Sequence, residues 1–335
     1  MIFIVASAHI DIQGSISISR GSDFLSLILY TSAMNWFLIA LIGPVLWALV
    51  NHIDKYIISK YFTGRGVGSL VLFTSISGLI ISLFILVFRF DQIFISPLSA
   101  SVIVISGALL VAAFIPYLYA LEAEEASWVS TLYQLVPIFS YILALIFLHE
   151  QLSGQQLFAS LLVIGGAVAI SLDLSHRIKL KTKPLMLMVV SSFMIAVNVL
   201  VFKIIALDQT YWGTAFWEYI GGGIFGLLLF ALVPLYRQQF IATVRKAKAA
   251  VFTINIVSEL LSIIAKLAAN FASLLAPLAL VWVVNGFQPL IVFLYGVIIT
   301  VFLPRFGKED ISRRVVVQKL SAMAVMLVGI YLLFR

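Results

Sequence analysis

The chain has 335 residues, of which 63% are hydrophobic and only 10% charged, against about 25% charged in an ordinary soluble domain. Such a composition cannot cover a water-exposed surface, so lipid must act as solvent for much of it. Cysteine is absent, which excludes disulfides, thiolate chemistry and cysteine-based zinc sites. The net charge of +7 comes from basic residues in short loops between apolar runs, a topological pattern rather than a nucleic-acid-binding face.

Residues 1–33 read as a dispensable tail or a misassigned start. Met1–Ala8 is apolar but short and has no basic residues before it, a poor signal peptide, and the Ser- and Gly-containing stretch Gln13–Asp23 breaks a helix. An interfacial N-terminal helix is the alternative. From there on, ten runs are long and apolar enough to cross a bilayer, which takes roughly 20 residues each. They are Trp36–Ile58, Val67–Phe88, Ala100–Ala120, Ser127–Leu148 and Gly154–Leu172, then Leu185–Leu207, Gly213–Val233, Val251–Phe271, Pro277–Leu303 and Val315–Phe334. Alternating strand patterns are absent, so the expected fold is an all-α integral membrane protein.

The two halves echo one another. Ala48 and Lys55 in the first span have the same separation as Ala196 and Lys203 in the sixth, and Gln134 with Pro137 in the fourth matches Gln288 with Pro289 in the ninth. An odd number of spans per repeat sets the halves in opposite orientation, a recurrent transporter plan. The expected layout is therefore ten transmembrane helices as two inverted five-helix repeats, residues 34–173 and 185–335, joined by a basic linker at 174–184.

Leu148-His149-Glu150-Gln151-Leu152-Ser153, followed by Gln156 and Gly165-Gly166, resembles the end of an EamA-like domain. Pro137 and the Pro44, Trp47, Ala48, Lys55 pattern of the first span fit the same resemblance. The chain thus resembles the drug/metabolite transporter superfamily over roughly 34–335, closely in the first half and loosely in the second. Where the family pattern would place a second glutamate after the ninth span, this chain has Leu303-Pro304-Arg305. The resemblance implies small-molecule transport, most often efflux, with both termini in the cytoplasm. Charge implies the reverse orientation. Lys60, Arg65, Arg177, Lys179, Lys181, Lys183, Arg237, Arg245, Lys246, Lys248, Arg305, Lys308, Arg313 and Arg314 share one side, while Arg20, Arg89 and Arg335 occupy the other. Since basic loops are cytoplasmic, the charge count puts both termini outside. The expected location is a cell membrane, the inner one in a bacterium.

Ionisable groups inside a span cost about 2.5–3.5 kcal/mol at mid-bilayer on insertion scales and therefore face protein or a wet cavity. In the eighth span Asn255, Glu259, Ser262, Lys266 and Asn270 form one stripe at helical spacing. Matching depths suggest a Lys203–Glu218–Lys266 cluster at one mouth, with Glu259 deeper as a protonation switch. Trp47, Asn51 and Lys55 in the first span, Ser130, Gln134, Pro137 and Tyr141 in the fourth, and Trp282, Asn285 and Gln288 in the ninth form further stripes, for which helix packing is the competing role. Trp36, Trp128 and Trp212 read as interface anchors, and Trp47, Trp217 and Trp282 as cavity aromatics. Gly221-Gly222-Gly223 marks a close helix approach or a bend, and Pro44, Pro116, Pro137 and Pro289 mark kinks. Glu150, beside His149, reads as a loop cap or helix-terminus contact. The group Glu122, Glu124, Glu125 reads as a solvated loop.

No nucleotide loop, dinucleotide fingerprint or metal motif is present, and the four histidines are scattered. The sequence points to no enzyme and no cofactor. It points to a secondary carrier of a small organic solute such as an amino acid, an amine or a drug-like compound, with protons as the candidate coupling ion and the bilayer as the other partner. A non-transporting membrane sensor or assembly component, and a lipid-carrier flippase, are the alternatives.

Overall fold

A computed structural model describes residues 22–61, 66–123, 129, 132–171, 182–246, 249–302 and 312–333. The expectations for residues 1–21, the basic linker up to residue 181, Trp128, Ser130, Glu124 and Glu125 lie outside them, as does the side chain of Lys55. The chain divides at Asn35 into a short N-terminal unit and a body, Trp36–Arg335.

Every long element among the described residues is a helix, in chain order α1 (Ser22–Tyr61), α2 (Val67–Phe88), α3 (Pro97–Ala123), α4 (Leu135–Phe147), α5 (Gly154–Ser171) and α6 (Thr182–Asp208). After these come α7 (Tyr211–Leu232), α8 (Pro234–Lys246), α9 (Ala249–Leu275), α10 (Leu278–Val284), α11 (Gln288–Phe302) and α12 (Arg313–Leu333). Eight helical stretches among them are long and apolar enough to span a membrane, and Leu135–Phe147 and Gly154–Ala169 are shorter apolar helices. The chain is a multi-pass helical membrane protein. Exposed Ile80, Leu83, Phe84, Val87 and Phe88 on α2 and Leu327, Val328 and Tyr331 on α12 are apolar surface of the kind lipid covers.

Local chemistry explains where helices start. Pro97 opens α3, where its missing N–H is no loss. The Thr210 hydroxyl accepts from the Gly213 N–H to cap α7. At α5, Ser153 Oγ accepts from the Gln156 N–H at 3.2 Å while Gln156 Oε1 accepts from the Ser153 N–H at 2.9 Å. This reciprocal capping box gives Gln156 of the sequence motif a physical purpose.

In the body, α3 packs between α6 and α7, α2 lies against α7, α4 against α6 and α10, and α5 against α12. The α3–α7 contact is unusually close: a Cβ on Gly107 would collide with the Glu218 carbonyl, and one on Gly221 with the Val104 carbonyl. The glycine cluster therefore serves helix approach, as one of its two expected roles.

Two elements were not anticipated. The short basic helix α8 follows the seventh span and packs on α2, where Gln239 Oε1 accepts from the Gly68 N–H and Thr243 meets Ser69. Burial, with the hydrogen bond to Tyr119, pushes the Tyr236 phenol of α8 well above its ordinary value, so it remains neutral. The ninth span is not one helix but two, α10 and α11, separated by a 3-10 turn at Asn285–Phe287. Pro289 cannot donate a backbone hydrogen bond, and Gly286 tolerates the local tightening.

Candidate substrate and coupling site

The interruption of the ninth span faces one in the fourth. Tyr133 and Gln134 form a turn immediately before α4, three residues ahead of Pro137, and the Val136 N–H bonds back to the Tyr133 carbonyl at 3.0 Å. A Cβ on Gly286 would lie 3.6 Å from Gln134 Oε1, and one on Gly43 of α1 would lie 3.3 Å from Asn285 Oδ1. Two broken helices and the first span thus converge. Trp47 and Trp282 stack here, their ring centroids 6.4 Å apart. Gln134 and Asn285 are buried, and Asn285 Nδ2 has no hydrogen-bond partner. A buried donor without an acceptor costs about 1–3 kcal/mol, so a fold retains one where something else can accept from it. The sequence brought Trp47, Gln134, Trp282 and Asn285 forward separately, and the structure brings them together. Gln288 begins α11 just beyond the turn, and Tyr141 packs against the apolar cluster containing Val163, Ala279 and Met326. Asn51 is half-buried on α1, next to His52, whose Nε2 lies 2.8 Å from the Val292 carbonyl.

A second polar centre lies between α3, α6, α7 and α9. Lys266 donates to Glu218 Oε2 at 2.6 Å, and Asn198 Nδ2 donates to Glu218 Oε1 at 2.8 Å. Asn198 also reaches the Ser106 carbonyl at 3.1 Å and the Ser106 hydroxyl at 3.0 Å. The Lys266 ammonium sits 5.1 Å from the centroid of the Tyr219 ring, a cation–π contact. Glu259, two turns away on the same stripe of α9, accepts from Thr74 Oγ1 at 2.9 Å. Asn255 and Asn270 are buried on this stripe, and Asn270 Nδ2 has no partner.

Lys203 does not join this cluster. It is bonded instead to Glu150 at 2.5 Å and to the Ala276 carbonyl at 2.9 Å, so the expected three-residue cluster is two separate ion pairs. Depth alone put Lys203 level with Lys266, but helix rotation sends the two ammonium groups to different neighbours. Trp217 is corrected as well: its indole N–H bonds the Ile93 carbonyl at 2.9 Å and so anchors the connection before α3. Trp36 is buried in an apolar cluster rather than standing at an interface, whereas Trp212 is half-buried under the Arg89 guanidinium. Sequence reasoning passed over Asn198, Ser106 and Thr74, uncharged residues within apolar runs, and left Glu150 outside the site.

Residues 34–172 match the EamA-like transporter family. This EamA-like region contains α1 from Met34 onward and runs through α5, including the Gln134 turn and Glu150. A crystal structure of another protein aligns at a TM-score of 0.64 with 12% identity, covering 89% of this chain and 96% of that chain. At that identity the likeness concerns the fold, and it extends well beyond the EamA-like region. No curated protein matches the sequence significantly.

Proposed function

We propose that the chain is a secondary carrier that moves a small organic metabolite across the membrane by alternating access between two inverted five-helix repeats. The observation that carries this reading is the meeting of two interrupted spans, at Gln134 and at Asn285–Phe287, with an unpartnered buried amide donor between them. Interrupted helices near mid-membrane are where carriers of inverted-repeat design bind their solutes, because irregular backbone is tolerated there only against protein or a cavity. The EamA-like region supplies one interruption and the second half the other.

The stacked tryptophans and the amides Gln134 and Asn285 suit a zwitterionic or amphipathic solute, an amino acid or a drug-like amine. The free donor of Asn285 selects a hydrogen-bond acceptor such as a carboxylate or carbonyl. Glu259 is the group assigned to proton coupling, and Lys266 with Glu218 holds α9 against α7. Efflux is the direction that the EamA-like resemblance implies, and the basic loops favour termini on the outside.

Substrate counterflow in liposomes containing only this chain tests the reading. Candidates come from thermal-shift screening of amino acids, nucleosides, sugars and organic cations, where a bound solute at roughly hundredfold excess over its dissociation constant adds about 2.7 kcal/mol of stability. Counterflow of a solute that also stabilises the protein supports the carrier. Its absence across the panel favours a lipidic substrate or a non-transporting protein.

A further inference from the structure

The carboxylate of Glu150 closes a ring of contacts across both halves of the chain. Its Oε1 meets Lys203 Nζ of α6 at 2.5 Å, its Oε2 accepts from the Leu278 N–H at 2.8 Å, and Lys203 donates to the Ala276 carbonyl at 2.9 Å. Between Ala276 and Leu278 stands Pro277, which has no N–H to offer. One side chain of the EamA-like region therefore holds two groups of the second half, and through Lys203 it is tied to a third, at the corner where α9 gives way to the half-helix α10. The local backbone is built to deliver it: His149 has φ of 54°, a left-handed conformation that residues other than glycine rarely adopt. The Glu150 N–H then folds back to the Ala144 carbonyl at 3.2 Å. A strained turn persists where surrounding contacts over-determine it, and such strain gathers at functional switches.

The two ion pairs differ in how they can separate. Glu218 has a side-chain exposure of 1% and is enclosed mid-helix by Asn198 and Lys266, so parting it from Lys266 disturbs packed helices. Glu150 keeps 19% exposure and lies in the connection between α4 and α5, while Leu278 opens α10 and Lys203 stands in the last two turns of α6. This pair can part without unwinding anything. Beyond it, every residue of α10 from Leu278 to Val284 is buried, so α10 fills the space between this mouth and Asn285.

We propose that Glu150 is the latch of a gate on the membrane face formed by residues 149–153 and 276–277, and hence a positioning residue for transport. The proposal rests on the carrier reading. In this conformation the latch holds α10 across the route to the broken helices. Release of Lys203 and of the Leu278 N–H frees α10 to swing about the Asn285–Phe287 turn, carrying Trp282 with it.

Because the chain has no cysteine, a single introduced thiol reports on opening without background. Ser273→Cys, at a site 3% exposed near the corner, is treated with a membrane-impermeant maleimide from each side of sealed vesicles, in the presence of no solute. Ala48→Cys, at a fully buried site on α1, is the control for general loosening. Glu150→Gln and, separately, Lys203→Met are each expected to raise Ser273→Cys labelling from one face by roughly tenfold, as when an open state rises from about 1% to about 10%. The Ala48→Cys control is expected to remain unlabelled, and the combined variant to label no faster than either single one. Labelling rates equal to the parent's in both variants, or an equal rise at Ala48→Cys, overturn the latch. The two readings fail separately: faster labelling in a protein that shows no counterflow keeps the Glu150 contact as a conformational latch but removes its role in transport, and unchanged labelling in an active carrier removes the latch and keeps the carrier.

Discussion

Lys266 and Glu218, on α9 and α7, meet at 2.6 Å with the carboxylate side chain only 1% exposed. In such a place the pair is worth less than the cost of breaking it, because removal of one partner strands the other as a buried charge. Glu218→Ala is therefore expected to destabilise the protein by about 3–5 kcal/mol. The double variant Glu218→Gln with Lys266→Met is expected to recover most of that loss. Unfolding midpoints in detergent provide the comparison, and a double variant no better than the single one would show that the two residues do not act as a pair.

Asn285 is expected to behave in the opposite way. Its Nδ2 is a buried donor without an acceptor, so Asn285→Leu removes an uncompensated polar group and leaves stability unchanged or raises it by about 1 kcal/mol. Counterflow is expected to be lost. A variant that is both stable and fully active would take Asn285 out of the solute site.

Gly107 tests the contact between α3 and α7. Gly107→Val drives a branched side chain into the Glu218 carbonyl, and overpacking of this kind costs about 1–3 kcal/mol. The displaced segment carries Glu218, so the Lys266 pair is expected to weaken as well. The check is that Glu218→Ala costs less in the Gly107→Val background than in the parent.

Glu259→Gln retains the shape of the side chain and the contact with Thr74 Oγ1 but cannot release a proton. Folding and solute binding are expected to persist while solute-driven proton movement stops. A pH-sensitive dye trapped inside liposomes reads the proton flux, and a flux equal to the parent's would assign coupling elsewhere.

Much of this arrangement is written in residues that conflict with lipid. The stripe from Asn255 to Asn270 stands out because charge and amide recur at helical spacing in an apolar run, and Glu218 is found by matching its depth to that of Lys266. Depth does not encode rotation, however. Lys203 lies five residues beyond Asn198 on α6, about 140° around the helix, and so faces Glu150 while Asn198 faces Glu218. Asn198 itself is a lone uncharged amide among Val, Ala and Leu, with no periodic partner to announce it. Pro289 betrays a weakened ninth span, but a proline permits a kink as readily as a break, and the choice depends on Gly286 and on the packing of α1 and α4 around it. The helix α8 was overlooked because its apolar side is narrow and its basic residues read equally well as a loop.

The break in the ninth span is not central. The segment before it, α10, has 7 residues and the one after it, α11, has 15, about 10 Å and 22 Å of helix. A pivot so placed has unequal arms. With the 15-residue arm held still, the 7-residue arm turns alone, and about 10° at Asn285–Phe287 shifts its outer end by about 2 Å. A displacement released beside Glu150 then stays in the shorter arm, so that the two mouths differ in how far they open.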